Sequence, residues 1–368
     1  MKKMGTSVKR IKTATLVDYA TYLGVIIAFI VMSVLQSRGM LSRSISGMLV
    51  PICCYVCMAV SLNLTVGILG ELSLGHAGFM SVGAFSGIIT AMSLQASVPN
   101  ELVRMVIAIL VGAFFAAIVG LIVGIPVLRL RGDYLAIVTL AFGEIIRDLI
   151  NCLLVGWDEN GLHMALNIDG TKSMSSLGLS ENGIEIIKGA QGATGNSRIA
   201  TFTVGFALVM ITLIVVLNLI RSRAGRAIMA IRDNRIAAES VGINITKYKL
   251  IAFVISASLA GAAGALFGMN YSNVTSAQFD FNTSIQVLVY VVLGGLGRMW
   301  GSVLATVVLY VLPEALREYA DYRMLLYAII LILVMLLTNN PTIKGFFSAL
   351  RERMGGRREK TLEGGAGK

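Results

Sequence analysis

Charge is what this sequence has least of. Only 14% of its 368 residues are Asp, Glu, Lys or Arg, where a soluble chain carries about a quarter. That is too few to cover a water-facing globular surface, which excludes a soluble enzyme or carrier. Histidine occurs twice, as His76 and His163, and cysteine four times. Cys54-Tyr-Val-Cys57, with Cys53 beside it, has the form of a C-x-x-C, but it lies in an apolar run with no His or acid near. It reads as a buried, reduced thiol cluster, so no metal site is expected. The phosphate cradle G-x-x-x-x-G-K-[ST] is missing. Gly364-Gly-Ala-Gly-Lys368 has Leu362 where the first glycine would stand and no Ser or Thr after the lysine. Neither a nucleophile elbow nor a dinucleotide fingerprint occurs. Catalysis and a bound cofactor are therefore not expected, and any ATP that drives this chain must be hydrolysed on another subunit.

What the chain has instead is apolar length. It is 56% hydrophobic, its mean hydropathy is +0.80, and runs near the 20 residues needed to cross a bilayer recur throughout. The fold class is an all-α polytopic membrane protein of about ten transmembrane helices, some short or broken at Gly-rich turns. The spans are expected at about 19–35, 48–66, 79–94, 103–128, 134–155, 200–220, 250–269, 281–296, 302–316 and 324–337. The first reads as an uncleaved helix, since no convincing cleavage site follows it. Pro51 falls near the start of the second, where proline costs a helix least. Asp133 is a candidate N-cap for the fifth.

The net charge of +11 does not point to nucleic acid, because of where the charge lies. The arm 1–18 holds five Lys or Arg against one acid, the loop 221–249 seven against two, and the tail 341–368 seven basic residues. The long polar stretch 156–198 reverses the bias, with three against five. The positive-inside rule then places both termini and loop 221–249 in the cytoplasm and 156–198 outside. Three domains follow: the arm 1–18, a transmembrane body 19–340 and the basic tail 341–368.

Two stretches break the apolar pattern with glycine: Gly67, Gly70, Gly75 and Gly78 in one, Gly294, Gly295, Gly297 and Gly301 in the other. Each joins a helix arriving from outside to one that returns. Two readings fit them: plain tight turns, or broken helices beside a pathway, where irregular backbone is tolerated because protein or water surrounds it. Glu71 and His76 lie in the first stretch and Asn63 just before it. His76 suits a hydrogen bond to backbone freed by the turn or, with Glu71 and Asn63, a part in shaping the pathway. Glu144 and Arg147 share a helix face at i, i+3 and can form a structural ion pair or serve translocation and gating. His163 reads as a surface loop residue.

Four motifs carry a family resemblance: Leu62-Asn-Leu-Thr-Val-Gly-Ile-Leu-Gly-Glu-Leu-Ser-Leu-Gly-His-Ala-Gly-Phe79, the run Leu128–Arg147, the run Gly225–Asn244, and Val292-Leu-Gly-Gly-Leu-Gly-Arg-Met-Trp-Gly301. In this order, over residues 50 to 340, they resemble permeases of branched-chain amino-acid ABC transporters, nearer the M-type than the H-type subunit. The resemblance implies a multi-pass subunit in a bacterial inner membrane. Its implied partners are two ATP-binding subunits, a homologous second permease, an extracytoplasmic amino-acid-binding protein and the lipid bilayer, with no nucleic acid. Loop 221–249 resembles the coupling helix of such permeases. The residues implied there are Arg226, Arg232, Asp233, Asn234, Arg235, Ala237, Ala238, Glu239 and Gly242, with Asp233 or Asn234 as a cap. The alternatives are a related permease for urea, amides or simple sugars, and an ion-coupled secondary transporter.

Overall fold

The computed structural model describes residues 2–130, 132–158, 161–167, 177–180, 183–317, 322, 325–329 and 331–333, with side chains from Tyr19 onward. The chain divides into two units, Met1–Val307 and Val308–Lys368. Helical stretches 325–329 and 331–333 in the second fall on the expected tenth span; 334–337 and the tail 341–368 lie outside the described residues.

The first unit contains α1 (Lys2–Ser37), α2 (Arg43–Asn63), α3 (His76–Ser93), α4 (Glu101–Val127), α5 (Asp133–Asn151), α6 (Phe202–Arg221), α7 (Arg223–Asp233), α8 (Arg235–Ser240), α9 (Ile245–Gly268), α10 (Phe281–Gly294) and the first part of α11 (Met299–Ala315). Segments Tyr19–Ser37, Arg43–Leu69, Glu101–Val127, Phe202–Arg221 and Ile245–Gly268 are long and apolar enough to span a membrane. The others at expected span positions differ for visible reasons. α5 carries Asp133, Glu144, Arg147 and Asp148, while α10 and α11 have 14 and 17 residues. At 1.5 Å per residue α10 reaches about 21 Å, short of a roughly 30 Å hydrocarbon core.

α9 is the centre of the bundle. Its Ala- and Gly-rich sequence lets α3 and α4 approach to backbone distance, the means by which membrane helices associate when hydrophobicity gives them no preference for each other. A Cβ placed on Gly83 of α3 would run into the Gly261 backbone, and one on Gly264 into the Met80 carbonyl. Gly112 and Gly87 face Ala265, and Gly120 faces Ala257. The pairs Gly120-x-x-x-Gly124 of α4 and Gly264-x-x-x-Gly268 of α9 thus lie at helix contacts.

Three local expectations are corrected. α2 begins at Arg43, capped by Ser42, so Pro51 lies inside the helix instead of near its start. The Gly47 carbonyl loses its i+4 donor there. Asp133 is the first residue of α5 and not its cap; Gly132, at φ 58°, precedes it. The all-α class is incomplete, because a five-stranded sheet closes one end of the bundle. Its strands are β1 (Leu153–Asp158), β2 (Gly161–Leu166), β3 (Ile184–Lys188), β4 (Ala193–Thr194) and β5 (Asn273–Val274), in the order β2-β1-β3-β4-β5. All pairings are antiparallel. The fifth helix therefore stops at Asn151, short of the expected 155. His163 lies on β2 and its Nε2 meets Asp158 Oδ1 at 3.0 Å, so it is not a free loop residue.

Candidate functional site

The opposite end of the bundle gathers the residues that the sequence singles out. α2 does not end cleanly. It continues as a π-helical turn over Leu64–Leu69 and stops at Gly70, whose φ of 80° favours a residue without a Cβ. Extended chain then leads to Gly75 and α3. The second Gly-rich stretch is a tight turn between α10 and α11, with Gly295 at φ 93° and Gly297 at φ 78°. There Gly294 and Gly301 approach so closely that a Cβ on either would overlap the other's backbone. One stretch is thus a break in a helix and the other a tight turn.

The two stretches touch each other through fully buried Asn63. Its Oδ1 accepts from Gly297 N–H and its Nδ2 donates to Ser302 Oγ, both at 2.8 Å. A Cβ on Gly67 would overlap both Asn63 Oδ1 and the Gly297 nitrogen, so glycine is needed here for the approach itself. Backbone freed by the break finds side chains on three other helices. Leu74 N–H donates to Thr139 Oγ1 of α5 (3.1 Å) and Ala77 N–H to Ser284 Oγ of α10 (3.0 Å). Arg232 Nη1 of α7 donates to the Gly67 carbonyl (2.9 Å). Gly75 and Gly78 pack on the α5 backbone at Thr139 and Gly143. His76 is buried, but its partner is not the freed backbone. Its Nε2 lies 2.8 Å from Ser61 Oγ on α2, and that hydroxyl donates to Met58 O (2.9 Å).

The basic loop folds as two short helices. α7 is capped by Ser222, which accepts from Gly225 N–H (3.1 Å). Of the two candidate caps for α8, Asn234 is the one used: its Oδ1 accepts from Ala237 N–H (3.0 Å). Asp233 instead pairs with Arg232 (3.1 Å), and Arg226 donates to the Arg221 carbonyl (3.0 Å). Ala238 is buried in a cluster with Ile231 and Ile245, against which Ile243 and Tyr248 pack. This cluster binds α7, α8 and the start of α9 into one piece. The outer face of α8 is open: Ile236 is 81% exposed and Val241 73%, with Ala237 and Glu239 exposed and Arg235 half-buried beside them. Gly242, at φ 82°, turns the chain back into α9.

Lys249, one turn into α9, is turned inward and forms an ion pair with Glu71. Their side chains are 5% and 16% exposed. Sequence reading counted Lys249 only as one more base of the loop and missed this pairing. It also missed Thr139, Ser284 and Ser302. A lysine just inside an apolar helix was the one signal available; the hydroxyls gave none.

Glu144 and Arg147 do form the i, i+3 ion pair, at 2.8 Å, on the half of α5 nearer the sheet, beside Gly143 and Ile146, which pack on Gly78. Arg147 also lies near Asp280, which caps α10 by accepting from Thr283 N–H (2.9 Å). Burial pushes the Asp280 carboxyl up, but its hydrogen bonds to Thr283 and Asn282, with Arg147 nearby, outweigh this and hold it below its ordinary value. Among the described residues no group of His, Cys, Asp and Glu converges as metal ligands.

Residues 44–336 fit the family described as branched-chain amino acid transport system, permease component. Over 290 residues the chain is 34% identical to the high-affinity branched-chain amino acid transport system permease protein LivM of Salmonella typhimurium, and equally so to that of Escherichia coli. Each match covers 77% of this chain and 66% of the relative, just under two thirds of its length. BraD of Pseudomonas aeruginosa, a permease protein of the same description, is 26% identical over 267 residues, 69% of this chain and 79% of its own. No solved structure matches. With the family model covering the body of the chain from α2 onward, this protein belongs to the branched-chain amino acid transport permease family.

Proposed function

We propose that the chain is a membrane-spanning subunit of a bacterial ABC importer. It is embedded in the inner membrane with the Gly-rich turns, the basic loop and both termini on the cytoplasmic side, and it translocates branched-chain amino acids. Family membership makes it a permease component and not a catalytic subunit. ATP hydrolysis is assigned to two partner subunits, solute capture to an extracytoplasmic binding protein meeting the sheet end, and the second half of the pathway to a homologous permease. The observation that carries this reading is α8, a capped, exposed short helix on a chain without a phosphate-binding loop. Its apolar Ile236, Ala237 and Val241, flanked by Arg232, Arg235 and Glu239, suit a groove on an ATP-binding subunit. Motion of the ATPases then re-orients the helices by alternating access. Selectivity resides mainly in the binding protein, so the permease needs no tight site of its own.

Reconstitution in proteoliposomes tests this. Labelled leucine should enter only with the ATP-binding subunits, the binding protein and ATP all present. Entry without ATP, driven by a proton or sodium gradient, would make the chain a secondary transporter. Reversing both loop charges, Arg235→Glu with Glu239→Lys, should separate hydrolysis from uptake; coupled uptake at the unmodified level would show that these side chains do not hold the dock.

A further inference from the structure

The Glu71–Lys249 pair joins the first turn of α9 to the chain just beyond the broken end of α2. We propose that this pair, together with Arg232 on the Gly67 carbonyl, is the joint through which the coupling loop moves the broken end of α2, making Glu71 and Lys249 positioning residues for transport. The proposal rests on the importer reading above.

The contacts form an unbroken sequence. α8 is fastened to α7 and α9 by Ile231, Ala238 and Ile245, so displacement of α8 is displacement of the first turn of α9. Lys249 follows Ile245 by four residues and lies on the same helix face. It holds Glu71, the second residue after the π-helical turn. Arg232, from the other side of the same cluster, holds Gly67 within that turn, and the Arg232 side chain packs where a Cβ on Gly70 would be. Asn63 carries the link on to Gly297 in the second turn. π-helical turns and irregular backbone are less firmly bonded than regular helix, and they concentrate where helices bend. The segment being pulled is thus the one able to yield.

A buried ion pair is a poor device for stability alone. Removing charge from water costs about as much as the pairing returns, and neutral side chains of similar volume replace such pairs with little loss. What the pair supplies is two discrete arrangements. Closed, both charges are satisfied in a nearly dry site. Open, both need water, so separation is an all-or-none event.

The experiment compares Glu71→Gln, Lys249→Met and the double variant in the full complex, reading folded yield, ATP hydrolysis and leucine taken up per ATP. Each single variant leaves one buried charge unpaired and should lower folded yield. The double variant should recover yield and hydrolysis while uptake per ATP stays down by roughly tenfold, within the usual range for coupling between distant sites. A purely structural pair predicts the opposite, and a folded double variant with unmodified uptake per ATP overturns the proposal. Should that variant not assemble, Arg232→Ala decides, since this side chain is 39% exposed and its truncation leaves the cores intact. Reduced uptake per ATP with the ATP-binding subunits still bound at the unmodified level supports the joint; an unchanged ratio, or a fall accounted for by weaker docking of those subunits, sinks it. If the unmodified complex shows no ATP-dependent import, the importer reading itself has failed, and that outcome is distinct from every outcome above.

Discussion

The two ends of the helical bundle are built differently. At the end with the Gly-rich turns, polar side chains reach across large sequence distances: Asn63 to Gly297 and Ser302, Arg232 to Gly67, Lys249 to Glu71, Ser284 to Ala77. At the sheet end most ion pairs are local: Glu144 with Arg147, Glu185 with Lys188, Asp158 with His163. There the long-range ties are mainly antiparallel backbone pairing, as between β4 and β5, joined by side-chain bonds such as Ser276 to Asn151, Arg198 to Ser272 and Ser197 to Gln95. A long-range side-chain contact ties two elements whose relative position can change. A local pair shapes one element and says little about its neighbours. The turn end, whose long-range ties converge on the break in α2, is therefore where substitution should disturb motion, and a local ion pair of the sheet end is where it should disturb little beyond the strand it touches.

The contrast breaks most readily at Gly67. Alanine there would overlap Asn63 Oδ1 and the Gly297 nitrogen, and neither a helix-borne side chain nor a turn backbone gives way cheaply. Overpacking of this kind costs about 1–3 kcal/mol or more. Gly67→Ala should lower the thermal unfolding midpoint of the detergent-purified complex and abolish uptake. Retained uptake would mean that the two turns need not touch.

Asn63→Ala should come next. It removes the acceptor of the Gly297 N–H while Ser302 keeps a second partner in the Arg298 carbonyl (3.3 Å). One half-buried donor is left unsatisfied, at a cost of up to about 1–3 kcal/mol. The same unfolding measurement should show a smaller fall than for Gly67→Ala, with uptake reduced but present. A shift within error would sharpen the contrast by making backbone fit, not hydrogen bonding, the tie between the turns.

Which parts of this could be read from the chain follows the same division. Helix positions came from apolar length, and the short helix in loop 221–249 from its small residues and cap; Asn234 caps α8 and Gly242 turns the chain where the sequence put them. The breaks at both glycine stretches were legible because glycine is a local signal. What joins them was not. Thr139 and Ser284 are single hydroxyls inside apolar runs, and nothing in their neighbourhoods announces a distant N–H. Lys249 looked like the last base of a basic loop. The sheet was missed for a different reason. Leu153-Leu-Val155 continues the apolar run of α5 and was absorbed into it. The alternation of Leu162, Met164 and Leu166 on β2, a genuine period-2 signal, sat in a stretch already assigned to polar loop.

The smallest effect is expected at Lys188. Strand β3 does not alternate simply. Against β1, Val155 pairs with Ile187 and Gly156 with Glu185, which leaves Ile186 as an extra bulged residue. Both Ile186 and Ile187 are consequently buried, and Glu185 and Lys188 come onto the same side, where they pair at 2.7 Å. The ion pair is a result of the bulge and not its cause, because the burial of two adjacent isoleucines already fixes the register. With side chains 31% and 42% exposed, water and salt screen the pair, and its loss should cost about 0–0.5 kcal/mol. Lys188→Ala should therefore leave the unfolding midpoint and leucine uptake unchanged at low and high ionic strength alike. Should it instead lower uptake as far as the Glu71 and Lys249 variants do, the sheet end would be a moving part too, and the division between the two ends would fall.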